Sequence, residues 1–184
     1  MIDKIIDISR RHKIVHIGSS ISVLPILQEI YTNKKLEDKV VMDNAHAHLA
    51  HALFLKMDAE EQITKFGIHC DRRAGCDASG GSLGHALGIA IGFVLADPSR
   101  AVHCIVSDGS IMEGSCYEAL RLIDDLKLDQ IHIYCNFNGY TAVSEYSSDK
   151  IEKRMKAFVK NIKVYHTNNG EGFEGLQGHY RVLK

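Results

Sequence analysis

The sequence contains no tryptophan and only two prolines among its 184 residues, so few positions mark an obvious linker between domains. It also has almost no excess of charge, since 22 basic and 23 acidic residues leave a formal net charge of −1. A chain this close to neutrality lacks the basic face that nucleic acid or an anionic membrane surface requires. We therefore expect neither nucleic acid nor a membrane among its partners.

Long apolar runs are also missing, and the opening segment MIDKIIDISR lacks the apolar stretch of a secretory signal peptide. Cysteine pairs of the Cys-x-x-Cys type are absent, so the sequence suggests neither a disulfide framework nor a zinc site. We interpret the five cysteines as small, buried apolar side chains in a cytoplasmic protein. They are Cys70, Cys76, Cys104, Cys116 and Cys135.

Apolar residues are plentiful, at 45% of the sequence, which is enough for a substantial core. A length of 184 residues suits one compact domain, and we expect residues 1–184 to form a single unit.

Hydrophobic periodicity predicts an alternation of helices and short buried strands. A strand, a helix and a further strand with a crossover of this length form a βαβ unit, so the sheet should be parallel and covered by helices on both faces. The predicted fold is therefore α/β with three αβα layers around a mostly parallel sheet. Residues 58–82 look like a loop, and Asp43 and Asn44 could cap the helix that follows them. The predicted helices cover 2–13, 22–33, 45–57, 83–96, 115–126 and 149–158, and the predicted strands cover 39–42, 101–106, 130–135 and 162–166.

Two polar segments follow the two central predicted strands. Asp108 and Gly109 come after the first of these strands, and residues 136–140 come after the second. Ligands of such sheets bind beyond the carboxyl ends of the strands, so the two segments should be neighbours. The Asp108 carboxylate and the Asn138 amide oxygen are ligands that Mg²⁺ prefers, and Gly109 lets a phosphate approach the backbone. Taken alone, the pattern fits either a Mg²⁺–diphosphate site or an ordinary turn.

The wider pattern resembles the thiamine diphosphate-dependent transketolase family. The run SDGSIMEGSCYEALRLIDDLKLDQIHIYCNFNGY opens with Asp-Gly and closes on an Asn 30 residues after the Asp, as the family's cofactor motif does. Five further segments resemble family segments in the family's order. They are VHIGSSISVLPILQEIY, MDNAHAHLAHALFL, GIHCD, GCDASGGSLGHALGIAIG and HTNNGEGFEGLQGHYRVL.

The resemblance implies roles for individual residues. Mg²⁺ (or Ca²⁺) would be held by Asp108, Asn138 and the backbone carbonyl of Tyr140. Histidines would surround the reacting carbon and the sugar hydroxyls, and their pKa near neutrality suits proton transfer. The diphosphate would lie along Gly109 and Ser110, the middle of the cofactor along Leu83 and Gly84, and the acids of the dimer interface would be Glu113 and Glu118. The histidines that match family positions are His16, His46, His69 and His179.

The sequence departs from the family in several places. Ser107 stands where a Gly is usual, His85 where a Gln is usual, and Cys70 where a Pro is usual. One strand–helix unit of the family's domain is missing after the Asn motif, and the pyrimidine-binding domain has no counterpart here. The resemblance therefore implies a split transketolase-type enzyme that transfers a two-carbon ketol unit between small sugars or related carbonyl compounds. Its second chain would carry the pyrimidine domain, and this chain would also pair with itself.

Other interpretations remain open. Each histidine taken singly could be a capping or surface side chain, and Glu113 and Glu118 could be favourable acids near a helix start. Histidines without a motif, such as His48 and His51, are interpreted as ordinary helix or strand residues. The chain could also be a reduced, non-catalytic domain that binds the cofactor or a partner. A metal phosphohydrolase around Ser107 would leave the other five segments unexplained.

Overall fold

The computed structural model describes residues 1–141, 144–160 and 162–184. Within these ranges four strands form one sheet in the order β1-β2-β3-β4, and all three neighbouring pairs are parallel. The predicted parallel sheet is thus confirmed. The strands are β1 (Lys39–Met42), β2 (Val102–Ser107), β3 (Ile131–Phe137) and β4 (Ile162–His166).

Helices connect the strands and follow the predicted order, with additions described below. Two short 3₁₀ helices, Ala45–Ala47 and Arg72–Ala74, lie in the long connection from β1 to β2. The α-helices are α1 (Ile2–His12), α2 (Ile17–Asn33), α3 (His48–Ala52), α4 (Ala59–Phe66), α5 (Ala86–Ala96), α6 (Asp108–Ile111), α7 (Gly114–Asp125), α8 (Ser148–Lys156) and α9 (Gly175–His179).

The sheet is buried on both faces, which confirms the three-layer arrangement. Along β2, Cys104 and Val106 point into a core formed with α5, α7 and α8. Ile105, between them, points into a second core formed with α1, α2 and α3. This alternation follows from the period of two along a strand.

Several predicted helix bounds were wrong because side chains near them form hydrogen bonds with other segments. The predicted 45–57 helix ends at Ala52, and Asp43 does not cap it. The Asp43 carboxylate instead accepts hydrogen bonds of 2.8–2.9 Å from the backbone N–H groups of residues 84–86. It therefore caps α5, which begins at Ala86 rather than at residue 83.

Two segments contain more helix than predicted. The supposed loop over 58–82 includes α4, whose N-cap Asp58 accepts from the N–H groups of Glu60 and Glu61. Helix α2 begins at Ile17 rather than Ser22, so it includes Gly18 in its first turn. After β3 the described chain continues with α8, β4 and the short α9, close to the single helix and strand that the sequence predicts. Among the described residues no helix combines the length and the apolar character needed to cross a membrane.

Candidate functional site

A cavity of about 240 Å³ lies where the carboxyl ends of β2 and β3 meet the glycine-rich tail. Its floor includes Ser107 and Gly109 after β2, and Asn136 and Asn138 at the end of β3. This is the edge of a parallel sheet where loops and helix N-termini converge. The two central polar segments are therefore neighbours, as the sequence predicts.

Four histidines from four separate segments line this cavity. They are His16, His46, His69 and His179, the four that match family positions. The ring centroid of His16 lies 4.9 Å from that of His46 and 4.3 Å from that of His179. The structure thus gathers side chains that are as much as 163 positions apart in the sequence.

The backbone fixes the position of two of these rings. His16 precedes α2 in the left-handed region, with φ 63°, and its N–H donates to the carbonyl of His179 at 2.9 Å. Gly18 permits the tail to approach, since a Cβ on it would lie 2.7 Å from the Cβ of Asn169. The tail that carries His179 is therefore held against the start of α2.

Burial alters the acid–base behaviour of the cluster. It lowers the pKa of His16 to about 4 and that of His46 to about 3, with a further lowering from the neighbouring histidines. Burial also lowers the pKa of His179. These three rings are therefore neutral at pH 7, rather than poised near their ordinary pKa as the sequence suggests. A neutral imidazole presents one donor and one acceptor, which suits hydroxyl recognition.

Asp108 is fully buried at the start of α6. Its Oδ2 accepts from the N–H groups of Asn138 at 2.7 Å and Gly139 at 3.2 Å, and its Oδ1 accepts from Ser148 Oγ at 3.0 Å. Burial raises the pKa of this carboxyl, although these hydrogen bonds oppose the rise. All three hydrogen-bond partners are neutral groups, so the carboxylate has a charge that a cation would compensate.

Asn138 connects the residues expected to bind Mg²⁺ with the glycine-rich tail. Its Oδ1 accepts from the N–H of Tyr140 at 3.0 Å, and its Nδ2 donates to Asn169 Oδ1 at 2.8 Å. Carboxylate and amide oxygens beside a backbone carbonyl form the hard-oxygen donor set that Mg²⁺ takes. The residues present therefore fit this ion.

The remaining predicted residues divide between the cavity and its surroundings. Leu83, Gly109 and Tyr140 line the cavity. Gly84 does not: at φ +88° it faces α7, and its carbonyl accepts from Ser115 Oγ at 2.8 Å. The Ser110 hydroxyl lies in a capping box with Ser107 at the start of α6. Glu113 and Glu118 are exposed beside and on α7, outside the cavity lining.

Asn44 is a further functional candidate, which is not among the site residues expected from the sequence. It lines the cavity, is 1% exposed, and has no hydrogen-bond partner among the described residues at either Oδ1 or Nδ2. A buried amide without partners is costly, so its retention at a cavity points to a ligand. Its signal in the sequence is the Asn-x-His spacing to His46. Asn136 also lines the cavity, but its amide already pairs with Ser22 Oγ and Thr167 Oγ1.

Comparison with known proteins identifies the relatives of this chain. The family model described as 1-deoxy-D-xylulose-5-phosphate synthase matches residues 2–168. A 6-deoxy-6-sulfo-D-fructose transketolase subunit from Clostridium sp. is 25% identical over 83% of this chain and 68% of its own length. The 1-deoxy-D-xylulose-5-phosphate synthase of Fusobacterium nucleatum is 31% identical over 81% of this chain but only 28% of its own length.

A further relative is longer than this chain, and the match covers most of both proteins. It is an apulose-4-phosphate transketolase subunit from Phocaeicola vulgatus, 24% identical over 95% of this chain and 82% of its own length. That alignment extends over 233 residues, more than the 184 of this chain, so the relative contains segments that this chain lacks.

The solved structure of transketolase from Leishmania mexicana superposes with a TM-score of 0.64 at 19% identity, which shows a shared fold. The superposition covers 91% of this chain and 36% of the transketolase. The chain thus spans about a third of that protein's length.

Proposed function

This chain belongs to the family of 1-deoxy-D-xylulose-5-phosphate synthase and the transketolases, and we propose that it is the thiamine diphosphate- and Mg²⁺-binding subunit of a split transketolase-type enzyme. One observation carries the proposal. The buried Asp108 carboxylate, whose hydrogen-bond partners are neutral, accepts from the backbone N–H of Asn138 at the edge of a cavity lined by four histidines.

Mg²⁺ would be held by the Asp108 carboxylate, the Asn138 amide oxygen and the carbonyl of Tyr140, leaving positions for diphosphate oxygens and water. Gly109, which lines the cavity at the start of α6, lets a phosphate reach the backbone. When bound, thiamine diphosphate supplies the electron sink for cleavage of a carbon–carbon bond. The protein's own residues would hold the cofactor, orient it and exchange protons.

The histidines would supply the groups that exchange protons and hydrogen bonds with the substrate. Because burial keeps His16 and His46 neutral, each ring can accept a hydrogen bond from a substrate hydroxyl at one nitrogen and donate one to a carbonyl oxygen at the other. The Asn44 amide, without partners in the chain itself, is available to a ligand on the same side of the cavity. These groups match a sugar, which presents several hydroxyls and one carbonyl.

The glutamate that acts on the aminopyrimidine would come from a separate pyrimidine-domain chain. The names of two relatives support this arrangement, since each is a transketolase subunit. A self-dimer would bury the surface around Glu113, where Met112 is 43% exposed. The active enzyme would then be a cytoplasmic heteromer that transfers a two-carbon ketol unit between sugars.

A second candidate is a reduced domain that binds cofactor or partner without catalysis. This candidate is favoured by the segments that the Phocaeicola vulgatus relative contains and this chain lacks. The two candidates predict different results in the same assay.

The test is reconstitution of ketol transfer. The full chain is mixed with a candidate pyrimidine-domain chain, sought first in the neighbouring reading frame, in the presence of thiamine diphosphate and Mg²⁺, and sugar products are quantified. The main proposal predicts turnover only in the mixture. Complex formation and cofactor binding without turnover would support the non-catalytic candidate, and turnover by this chain alone would contradict the need for a partner.

A further inference from the structure

A second polar cluster lies beneath the cavity, inside the core formed with α1, α2 and α3. Its members are His48 and His51 on α3 and Cys70 and Cys76, which flank the 3₁₀ helix Arg72–Ala74. All four are buried, and their ligand atoms all lie within 4.8 Å of one another. None of them lines the cavity or belongs to the proposed cofactor site.

The individual distances are those of a tetrahedral site. Cys76 Sγ lies 3.6 Å from His48 Nδ1 and 3.8 Å from His51 Nδ1, and Cys70 Sγ lies 3.9 Å from His51 Nδ1. A tetrahedron with Zn–S of about 2.3 Å and Zn–N of about 2.0–2.1 Å separates S from N by roughly 3.6 Å. These three distances lie within a few tenths of an ångström of that value, and the ligand atoms are all within 4.8 Å of one another.

A neighbouring hydrogen bond orients one of the histidine rings for metal binding. The Nε2 atom of His51 lies 2.7 Å from the hydroxyl of Tyr31. Because this hydrogen bond occupies Nε2, it leaves Nδ1 as the nitrogen directed at the two thiols. A hydrogen bond at the second ring nitrogen is the usual companion of a metal-bound histidine. His48 has its Nδ1 in the cluster and its Nε2 buried without a partner.

We propose that these four side chains bind one Zn²⁺ ion as a structural site. Two thiolates and two imidazoles are soft and intermediate ligands, which select zinc over Mg²⁺ or Ca²⁺. The two thiolate charges would balance the ion, so the assembled site is neutral and suited to a buried position. Four protein ligands also leave no open position for substrate, as in structural rather than catalytic zinc sites.

The proposed zinc site would stabilise the cavity, because its ligands are close in the sequence to two of the cavity histidines. His46 lies in the 3₁₀ helix just before α3, and His69 immediately precedes Cys70. The N–H of Cys70 donates to the carbonyl of Ala45 at 3.2 Å, so the two segments already run side by side. A metal ion joining them would fix the relative positions of two cavity histidines.

The proposal corrects the expectation that the cysteine pattern suggests no zinc site. Five residues separate Cys70 from Cys76, more than the two to four usual in zinc motifs, and 18 residues separate His51 from Cys70. The four residues resemble a site only once tertiary structure brings the two segments together.

Elemental analysis of the full-length protein tests this proposal. The protein is purified under reducing conditions from cells grown with added zinc, then freed of loosely bound metal by gel filtration. We expect one zinc per chain, with X-ray absorption showing two sulfur ligands at about 2.3 Å and two nitrogen ligands at about 2.0–2.1 Å. Cys76→Ala should lose the metal, whereas Cys116→Ala, which removes an equally buried thiol on α7, should retain it.

A measurement on the unaltered protein covers the case in which Cys76→Ala fails to fold. Co²⁺ added to the reduced, metal-free chain should produce the intense near-ultraviolet absorption of a cobalt–thiolate bond, and added Zn²⁺ should abolish it. The proposal is overturned if the purified chain contains no zinc and Co²⁺ gives no such absorption. It is equally overturned if mass spectrometry finds Cys70 and Cys76 joined as a disulfide in freshly purified protein. None of these readouts depends on thiamine diphosphate.

Discussion

The backbone N–H of Asn138 donates to Oδ2 of Asp108 at 2.7 Å. This hydrogen bond connects the segment that follows β2 to the segment that follows β3, and these two strands are parallel neighbours. The same carboxylate accepts from Ser148 Oγ at 3.0 Å, so it also ties the start of α8 to the sheet. Asp108 therefore has two roles: it organises three loops, and it offers the negative charge that the proposed Mg²⁺ requires. These two roles can be separated by substitution.

Asp108→Asn removes the charge and keeps the shape. Its amide oxygen can still accept from the N–H groups of Asn138 and Gly139, and its amide nitrogen can donate to Ser148 Oγ. We expect the fold to persist, while metal-dependent affinity for thiamine diphosphate falls about 10- to 100-fold, or about 1.5–3 kcal/mol. Calorimetric titration measures the change. Asp125→Asn, the same substitution at an exposed ion pair with Arg121, is the control and should leave affinity unchanged.

Asn44→Leu should move stability and binding in opposite directions. The buried amide has no hydrogen-bond partner, so an apolar side chain of similar volume removes a desolvation cost of about 1–3 kcal/mol. We expect the melting temperature of the free protein to stay level or rise while cofactor or substrate affinity falls. A large loss of stability with unchanged affinity would show that Asn44 is structural and does not face a ligand.

Alanine substitutions at Gly84 and Gly88 should have opposite effects on stability. Gly84 has φ +88°, and a Cβ there would lie 2.5 Å from Ser115 Oγ and 2.7 Å from Glu113 Cβ. Gly84→Ala should therefore destabilise the protein by about 1–3 kcal/mol or more. A Cβ on Gly88, within α5, would meet no atom within 4 Å, so Gly88→Ala should stabilise the protein by about 0.4–1 kcal/mol. Urea unfolding of both variants gives the two signs, and equal effects would contradict this geometry.

The neutral histidines predict a pH dependence of folding. An ordinary histidine has a pKa of 6.5, against about 4 for His16 and about 3 for His46 in the folded protein. Between pH 6.5 and about 4 the unfolded chain binds more protons, so stability is complete above pH 7 and declines as the pH falls through this range.

The double variant His16→Asn and His46→Gln isolates this contribution. Asparagine tolerates the left-handed backbone at position 16, and neither new side chain titrates. The fall in unfolding free energy between pH 7 and pH 4.5 should be smaller in the variant than in the unaltered protein. Identical slopes would show that the two histidines are not buried in neutral form.

The sequence predicts well what local pattern determines. The buried strands β2 and β3 and the crossover between them follow from apolar runs of fixed length, so the neighbouring positions of Asp108 and Asn138 could be anticipated. The four cavity histidines could be anticipated from their motifs. The low pKa values of His16, His46 and His179 could not, because burial of these rings depends on contacts between segments far apart in the sequence.

Contacts between distant segments explain the remaining differences. Asp43 looks like a cap for the helix that follows it, but its carboxylate reaches the N–H groups at the start of α5, 41 to 43 residues away. His48 and His51 look like ordinary helix residues until Cys70 and Cys76 pack against them. Neither relationship has a local signature, so both require the tertiary structure.

The most direct test of the central claim is calorimetric titration of the full chain with thiamine diphosphate, with and without Mg²⁺. We expect saturable binding of one cofactor per chain with Mg²⁺, and affinity at least tenfold weaker when the ion is removed with a chelator that is then dialysed away. Binding that is absent in both conditions, or equally strong in both, would contradict the assignment of Asp108 and Asn138 as a Mg²⁺–diphosphate site.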